Sequence, residues 1–261
     1  MVAKISVIPG FLFPTSVRAG MRRIGVSDFD RSMSRLAGSN GLVHWIEPGD
    51  FSNGVIPDRA SSARFTSGGG TADPVATNIN GQPAAGFTNG ATRSLTGDAP
   101  KLDGSFSVIM AWSFASGDII NANRNLWSSG SALSSLPSAR INNALNGDGN
   151  PFVLWSKNSN DLDSVAFVRT PGLYIDVFSY DSATKAAKLL DKTGAVVVSG
   201  TWTTDPPGGS PWTVGGALSN PTFSMQGKIG RTLIFNQALH LAGNADLLSG
   251  LLSLMRADYG V

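Results

Sequence analysis

The chain has 261 residues, of which 41% are hydrophobic and 15% are charged, and its formal net charge is +2. Because a typical globular chain carries about 25% charged residues, this composition predicts a sizeable core and excludes a disordered chain. The small net charge gives no sign of a nucleic-acid partner. The lack of cysteine excludes a disulfide framework and a thiolate metal site.

Residues 1–40 differ in composition from the rest and are predicted to form an anchoring arm. The first 36 residues contain six basic and two acidic residues. The large side chains of the apolar tip are Ile5, Val7, Ile8, Phe11, Leu12 and Phe13, and Arg18, Arg22 and Arg23 follow it. So short a segment cannot form its own core. We therefore expect Phe11, Phe13 and the three arginines to contact other protein chains. The alternative is an extra edge strand folded back on the same domain.

Two features refine the prediction for this arm. The apolar run near its start is interrupted by Pro9 and Pro14, so we expect no cleaved signal peptide. The segment DFDRSMSRL predicts a short helix that begins near Asp28 or Asp30. The whole chain has no run of 18 apolar residues, so no transmembrane helix is expected.

From residue 41 onward the pattern is that of short β-strands separated by glycine, proline, asparagine and aspartate. The clearest strand is SFSVIMAWSF, residues 105–114, which alternates with a period of two. Its predicted core face carries Phe106, Val108, Met110, Trp112 and Phe114. At least six more strand-like segments follow. This spacing predicts an all-β antiparallel jelly-roll or β-sandwich.

The end of the chain predicts one helix. Asn244 is a candidate N-cap, and Gly260 is a candidate C-terminal stop. Between them, apolar residues recur at helical spacing, namely Leu247, Leu248, Leu251, Leu252, Leu254 and Met255. We expect this face to pack on the open edge or the back of the sandwich.

Three segments carry a resemblance to a known family: an early tryptophan strand (Trp45), a turn and strand in INGQPAAGF, and a closing strand, turn and helix. The matching residues of the last two are Asn80, Gly81, Pro83, Phe87, Phe235, Asn236, Ala238, Leu239, Tyr259 and Gly260. Residues 41–261 thereby resemble the concanavalin A-like lectin/glucanase superfamily, in its laminin-G-like branch. Such domains are common in bacteria and in bacteriophage virion proteins. The resemblance implies the fold and says nothing about chemistry.

Catalytic chemistry is not favoured by the residues present. Glycosidases of related fold need paired carboxylates, whereas Glu47 is the single glutamate and is interpreted as a solvated turn residue. Asp161 and Asp163 are candidates for a sugar or Ca²⁺ contact, but are more typical of a polar loop. His44 and His240 are the only histidines, and no serine lies in a G-x-S-x-G motif. We predict no catalytic residue, no metal site and no cofactor.

Binding of a glycan is better supported, because sugar sites combine an aromatic ring with nearby amides or carboxylates. Trp155 lies close to Asn158 and Asp161 in the sequence, and Trp202 and Trp212 flank the loop TTDPPGGSP. These five residues are the glycan-binding candidates. Tryptophans in a sandwich are more often core residues, and we assign Trp45 and Trp112 to the core.

The sequence as a whole favours a non-enzymatic bacteriophage virion structural protein, as a capsid decoration, spike or tail component. On this hypothesis the chain is made in the bacterial cytoplasm, forms a homo-oligomer on the virion surface, and uses its arm to contact other virion proteins. The sandwich is then a candidate for adhesion to cell-surface polysaccharide, with no nucleic-acid or membrane partner. The alternative is a carbohydrate-binding module of a bacterial protein, and a glycoside hydrolase is less favoured.

Overall fold

The computed structural model describes residues 7–8, 11–12, 28–37, 40–88, 92, 94–101, 103–116, 118, 124–129, 138–146, 150–156, 164–206, 208–216 and 224–261. At some of these positions, among them 140–146 and 150–156, only the backbone is described. All the features below concern these residues.

Two antiparallel sheets form the body of the protein. The first, here called the outer sheet, has eight strands. In spatial order they are β13 (Ser164–Val168), β12 (Asn150–Ser156), β11 (Ser138–Asn146), β10 (Arg124–Ser129), β17 (Pro211–Val214), β8 (Ser94–Pro100), β5 (Arg64–Gly68) and β4 (Val55–Pro57).

The second sheet, here called the central sheet, also has eight strands. Seven follow one another in the order β16 (Val196–Thr201), β15 (Ala186–Leu190), β14 (Gly172–Asp181), β9 (Phe106–Phe114), β18 (Gly227–Phe235), β7 (Gln82–Phe87) and β6 (Val75–Ile79). The eighth, β3 (Leu42–Ile46), pairs with the second half of β18, beyond the part that pairs with β7. The predicted all-β antiparallel sandwich is confirmed.

The central sheet separates two hydrophobic cores, and β9 contributes to both. Phe106, Val108, Met110, Trp112 and Phe114 are all buried between the two sheets, as predicted. The opposite face was not expected to be a core face, yet its Ile109 and Ala111 are also fully buried, in a second core on the helix side. An alternating pattern could not reveal this second core, because alanine and serine are frequent on that face.

The second core is covered by the C-terminal helix, α2 (Ala245–Tyr259). Its buried side chains are Leu248, Leu251, Leu252, Met255 and Tyr259, so the predicted packing helix is confirmed. Gly260 ends it in the left-handed conformation at φ 67°. Asn244 occupies the N-cap position without a capping bond, and its Nδ2 donates instead to the carbonyl of Ala238 at 2.8 Å. No helix in the described ranges is long and apolar enough to span a membrane.

Part of the predicted arm belongs to the sandwich. A helix, α1 (Asp28–Ala37), forms where the sequence predicted one, and its Met33 is fully buried in the second core beside α2. Asp30 accepts a hydrogen bond from Nη1 of Arg59 at 2.9 Å. α1, which lies ahead of the predicted division at residue 40, thus packs on the second core of the sandwich. Ahead of α1, β1 (Val7–Ile8) and β2 (Phe11–Leu12) form a two-stranded pair.

The remaining arm candidates are Phe11, Phe13, Arg18, Arg22 and Arg23. Only the backbone of Phe11 is described, and Phe13, Arg18, Arg22 and Arg23 lie outside the described residues. Their predicted contacts with other chains stay a prediction.

Glu47 is buried, so its interpretation from the sequence as a solvated turn residue is wrong. It is only 5% exposed, and its Oε2 accepts a hydrogen bond from Nε of Arg231 at 2.6 Å. Nη1 of Arg231 donates to Oδ2 of Asp258 at 2.5 Å. Burial opposes the charge on Arg231, but the two carboxylates outweigh it and raise the pKa of the guanidinium. The three residues join the end of β3, the middle of β18 and the end of α2.

We expect Glu47→Gln to destabilise the protein by about 3 kcal/mol, because it removes one of two carboxylates from a buried guanidinium. Urea unfolding followed by circular dichroism measures this change. Asp246→Asn, on the exposed first turn of α2, is the control and should stay within about 0.5 kcal/mol of the wild type. Equal stability of Glu47→Gln and the control would show that this ion pair is not structural.

Candidate functional site

A cavity of about 420 Å³ opens at one end of the sandwich. It lies where the last residues of β8 and the start of β17 in the outer sheet face β3, the start of β9 and the end of β18 in the central sheet. Its apolar wall includes Phe106, Trp212 and Phe235, and its polar lining residues are His44, Ser61, Lys101, Ser105 and Asn236. A small number of polar groups in a mainly apolar cavity is typical of a small-molecule site.

His44 is held in one orientation by Asp58. Nδ1 of His44 lies 2.7 Å from Oδ2 of Asp58, and both side chains are buried. The imidazole also packs edge-on against Phe65, with 5.3 Å between ring centroids. Because Nδ1 is used by the carboxylate, Nε2 is the ring atom left for a ligand.

Asp58 is itself fixed by a dense set of hydrogen bonds. The amides of Trp45 and Ala60 donate to Oδ1 at 2.8 and 2.9 Å, and the hydroxyl of Ser61 donates to Oδ2 at 2.6 Å. Burial opposes ionisation of Asp58, but the hydrogen bonds from His44, Ser61 and the two amides outweigh it and lower its pKa. The carboxylate is therefore ionised at neutral pH. It contacts His44 but does not itself line the cavity.

Lys101 brings a positive charge to the same cavity. It is 2% exposed, and its Nζ lies 5.0 Å from the centroid of the Phe106 ring. Burial lowers the pKa of Lys101 to about 8, against the opposing influence of Asp103 and Asp205. Its backbone is fixed by the loop before β17, since its amide donates to Ser210 at 2.6 Å and its carbonyl accepts from Gly209 at 2.9 Å.

Two of the tryptophans predicted to bind glycan are core residues. Trp202 is 2% exposed and stacks on Tyr180 at a centroid distance of 4.7 Å. Trp212 is 3% exposed and packs edge-on against Phe106 and Trp127. Both rings are buried, and the role of Trp202 and Trp212 in binding a glycan stays a prediction. Trp212 nevertheless reaches the wall of the end cavity.

The other predicted glycan-binding group comprises Trp155, Asn158 and Asp161. Trp155 lies in β12, where its backbone pairs with Ala139 and Val165, but its side chain is not described. Asn158, Asp161 and Asp163 lie outside the described residues. Their role in binding a glycan stays a prediction.

Sequence reasoning missed Asp58, Ser61 and Lys101 and considered His44 only as a catalytic base or a metal ligand. Asp58 lies 14 positions from His44, and Lys101 lies a further 43 positions along the chain. No spacing rule links them, because the cavity is assembled from five strands. The only sequence signal is a lone histidine within a predicted strand.

A catalytic arrangement is not visible among the described residues. Ser61 donates to Asp58 and not to His44, so these three groups do not form a serine–histidine–aspartate relay. His240 is elsewhere, beside α2, with its Nδ1 2.7 Å from Oγ of Ser179; its pKa is lowered by burial and by Lys188. Within the described ranges, no three histidine or acidic side chains cluster closely enough to hold a metal ion.

A comparison with protein-family profiles gives no match. A comparison with curated protein sequences gives no match either.

Several solved structures are similar to this chain. Domain 4 of AbnA, an extracellular GH43 arabinanase from Geobacillus stearothermophilus in complex with arabinotriose, has a TM-score of 0.54 at 15% identity, over 82% of this chain and 98% of that one. The botulinum neurotoxin serotype D ligand binding domain in complex with N-acetylneuraminic acid has a TM-score of 0.57 at 10% identity, over 83% of this chain and 52% of that one. Trypanosoma rangeli sialidase in complex with 2,3-difluorosialic acid has a TM-score of 0.54 at 12% identity, over 84% of this chain and 33% of the sialidase.

These likenesses show the fold alone, because the identities are low. The chain spans almost all of the arabinanase domain, about half of the toxin domain and one third of the sialidase. All three similarities involve β-sandwich domains and are compatible with the concanavalin A-like class expected from the sequence.

We expect Asp58→Asn to destabilise the protein at pH 7 by about 1.5–3 kcal/mol, since it weakens hydrogen bonds to a buried charge. Because the folded pKa of Asp58 lies below its unfolded value, the stabilisation is present above about pH 4 and is lost as the pH falls through the folded pKa. The variant should therefore lose less stability on acidification than the wild type. Urea unfolding between pH 7 and pH 3 measures both effects.

The exposed Asp73, which accepts one hydrogen bond from Ser67 at 2.7 Å, provides the control through Asp73→Asn. Parallel pH profiles for wild type and Asp58→Asn would contradict the assignment of Asp58 as the ionised partner of His44.

Proposed function

We propose that this chain is a non-catalytic carbohydrate-binding module and that the end cavity is its sugar site. The observation that carries the proposal is the pairing of an aromatic wall, Phe106 and Trp212, with the polar groups of His44 and Lys101 in one cavity of about 420 Å³. This volume falls within the range of about 300–1,000 Å³ that is usual for ligand pockets.

The chemistry of the lining suits a sugar. A pyranose or furanose ring has apolar C–H groups, which pack on aromatic side chains, and hydroxyls, which need hydrogen-bond partners. Ser61, Ser105 and Asn236 add hydroxyl and amide groups around the cavity. A wholly apolar ligand would leave these groups without water, at a cost in free energy.

The absence of catalysis is part of the proposal. Glycoside hydrolysis requires two carboxylates that flank the scissile bond. Among the described residues that line the cavity, none is acidic. Asp58 lies behind His44, and Glu47 is bound to Arg231. These arrangements support binding over bond cleavage.

The solved structures add support at the level of the fold. The arabinanase domain, the toxin domain and the sialidase are described in complex with arabinotriose, N-acetylneuraminic acid and 2,3-difluorosialic acid. The arabinanase domain, which the chain covers almost entirely, supports a sugar site on a sandwich of this kind.

We expect Ala99→Trp to weaken binding of any sugar ligand by at least about tenfold, because the indole fills the cavity. Titration calorimetry against neutral and acidic oligosaccharides, arabinotriose and N-acetylneuraminic acid included, measures affinity. The control, Val196→Trp, alters an edge strand where the side chain is 50% exposed. Unchanged affinity in folded Ala99→Trp would exclude the cavity, and release of reducing ends by the wild type would exclude a non-catalytic module.

The assembly to which the chain belongs is a second part of the proposal. We infer a structural protein of a bacteriophage virion, displayed on its surface as a homo-oligomer after synthesis in the host cytoplasm. Residues 1–27 support this, since they contain four basic residues, no acidic residue and the apolar tip. The alternative is a carbohydrate-binding module of a bacterial protein. Because α1 packs on the sandwich, the anchoring part is limited to residues 1–27.

We expect deletion of residues 2–27 to leave the sandwich folded but to abolish assembly, as measured by light scattering coupled to size exclusion. Deletion of residues 2–37 also removes Met33 from the second core and should cost a further 2–5 kcal/mol or so. Unfolding of the shorter deletion would show that residues 2–27 belong to the sandwich and do not act as an anchor.

A further inference from the structure

We propose that His44 selects the ligand of the end cavity by accepting a hydrogen bond at Nε2, so that the sugar places a free hydroxyl, and not an anionic oxygen, against this atom. The inference rests on the proposed function. It names the specificity-determining residue and the ligand group for the same site.

The side chain of His44 points into the space between the two sheets, where the cavity lies. His44 pairs with Ile234 of β18, and directly paired residues lie on the same face of a sheet. Ile234 belongs to the core between the sheets. The imidazole packs edge-on against Phe65 of the outer sheet, with 5.3 Å between ring centroids. His44 also belongs to the cavity wall, together with Ser61.

The hydrogen bonds of Asp58 determine which nitrogen of His44 carries a proton. The amides of Trp45 and Ala60 and the hydroxyl of Ser61 all donate to the carboxylate. Burial opposes ionisation of Asp58, but these bonds and the bond with His44 outweigh it and lower its pKa. Because an ionised carboxylate only accepts, its contact of 2.7 Å with Nδ1 requires a proton on Nδ1. A neutral imidazole protonated there has a lone pair at Nε2.

Nε2 of His44 is available to a ligand. The two nitrogens of an imidazole point in divergent directions, so Nε2 is directed away from Asp58, which is not part of the cavity wall. In the described part of the chain, the His44 side chain has no hydrogen bond except that with Asp58. Nε2 is not among the inaccessible polar atoms that lack a partner, as Nε1 of Trp127 and Oγ1 of Thr213 are. It therefore keeps accessible surface, although the side chain is only 5% exposed.

Ser61 adds a second acceptor close to His44, since both side chains contact Oδ2 of Asp58. Its hydroxyl donates to Asp58 at 2.6 Å and accepts from the amide of Ala63 at 3.1 Å. A hydroxyl has one proton and two lone pairs, so Ser61 retains one lone pair for a ligand. These two side chains thus offer acceptors and no donor. A carboxylate, sulfate or phosphate would leave them unpaired, whereas a sugar hydroxyl donates to them.

The first experiment examines the free protein and needs no sugar. Long-range ¹H–¹⁵N NMR correlations distinguish the two neutral forms of a histidine ring from each other and from the imidazolium. The chain has two histidines, and His240→Asn assigns their signals. We expect His44 at about pH 7.5 to show a protonated Nδ1 and an unprotonated Nε2. A proton on Nε2 would overturn the inference without affecting the proposed sugar site.

The second experiment identifies the ligand group by calorimetric titration. The probes are the methyl glycosides of glucose, galactose and arabinose. The tightest binder is compared with derivatives in which one hydroxyl at a time is replaced by hydrogen or by fluorine. Fluorine removes the donor but keeps a weak acceptor. We expect one position at which both replacements weaken binding about tenfold, because a buried acceptor of the protein is left unpaired.

His44→Asn links that position to the histidine. The amide nitrogen of asparagine, like Nδ1, is bonded to Cγ, so the variant keeps a donor for Asp58 and loses Nε2. It should bind the parent sugar about tenfold more weakly and should no longer distinguish it from the two derivatives. The control is His240→Asn, whose ring lies beside α2 and outside the wall of the end cavity, and it should behave as the wild type. Thermal unfolding checks that each variant is folded.

The outcomes separate this inference from the proposed function. If fluorine is tolerated at every position, or if the position still matters in folded His44→Asn, the role of His44 is overturned and the sugar site stands. Failure of these probes and of the oligosaccharides named above to bind the wild type overturns both. The NMR spectra and the fluorine series on the wild type decide the question even if His44→Asn does not fold.

Discussion

The buried guanidinium of Arg231 is the contact that holds helix α2 against the central sheet. It lies in β18, which pairs with β9 on one side and with β7 and β3 on the other. Glu47 and Asp258 bring the end of β3 and the end of α2 to the same group. Nearby, the hydroxyl oxygen of Tyr259 accepts a hydrogen bond from the backbone amide of Arg231 at 2.8 Å. A side chain at Gly230 would clash with this tyrosine, so strand and helix fit only with glycine there.

This junction also positions the candidate site. β3 carries His44 toward the end cavity and ends at Ile46, immediately before Glu47. The pairing of β3 with β18 covers only Leu42 to Ile46, so the anchor at Glu47 fixes the register of a short strand. After a short 3₁₀ helix (Pro48–Asp50) and β4, the chain returns Asp58 and Arg59 to Trp45. Helix packing and cavity geometry are therefore coupled through a single strand.

The sequence predicted the parts of the fold that repeat along the chain. The strand at 106–114 and the helix at 245–259 follow from periods of two and of 3.6 residues, and both are confirmed. Glu47 and the cavity could not be predicted in this way. Glu47 meets a partner 184 positions away, and a turn context gives no sign of burial. The environment of Trp202 and Trp212 was equally hard to predict. A tryptophan close to a loop in sequence can lie either in the core or on a ligand-binding surface, and both of these rings are buried.

Three buried charged residues, Arg231, Asp176 and Lys101, differ in how burial and neighbouring charges shift their pKa. Arg231 is matched by two carboxylates, and its charge is favoured. Asp176 lies fully buried between the sheets, bound by Arg169 and by the indole of Trp112, but burial dominates and raises its pKa to about 6. Lys101 resembles Asp176, because burial again outweighs the neighbouring charges. It differs in lining the end cavity, which Asp176 does not. Because perturbed pKa values cluster at functional sites, the place of Lys101 in the cavity wall supports the end cavity as the candidate site, whereas Asp176 belongs to the core between the sheets.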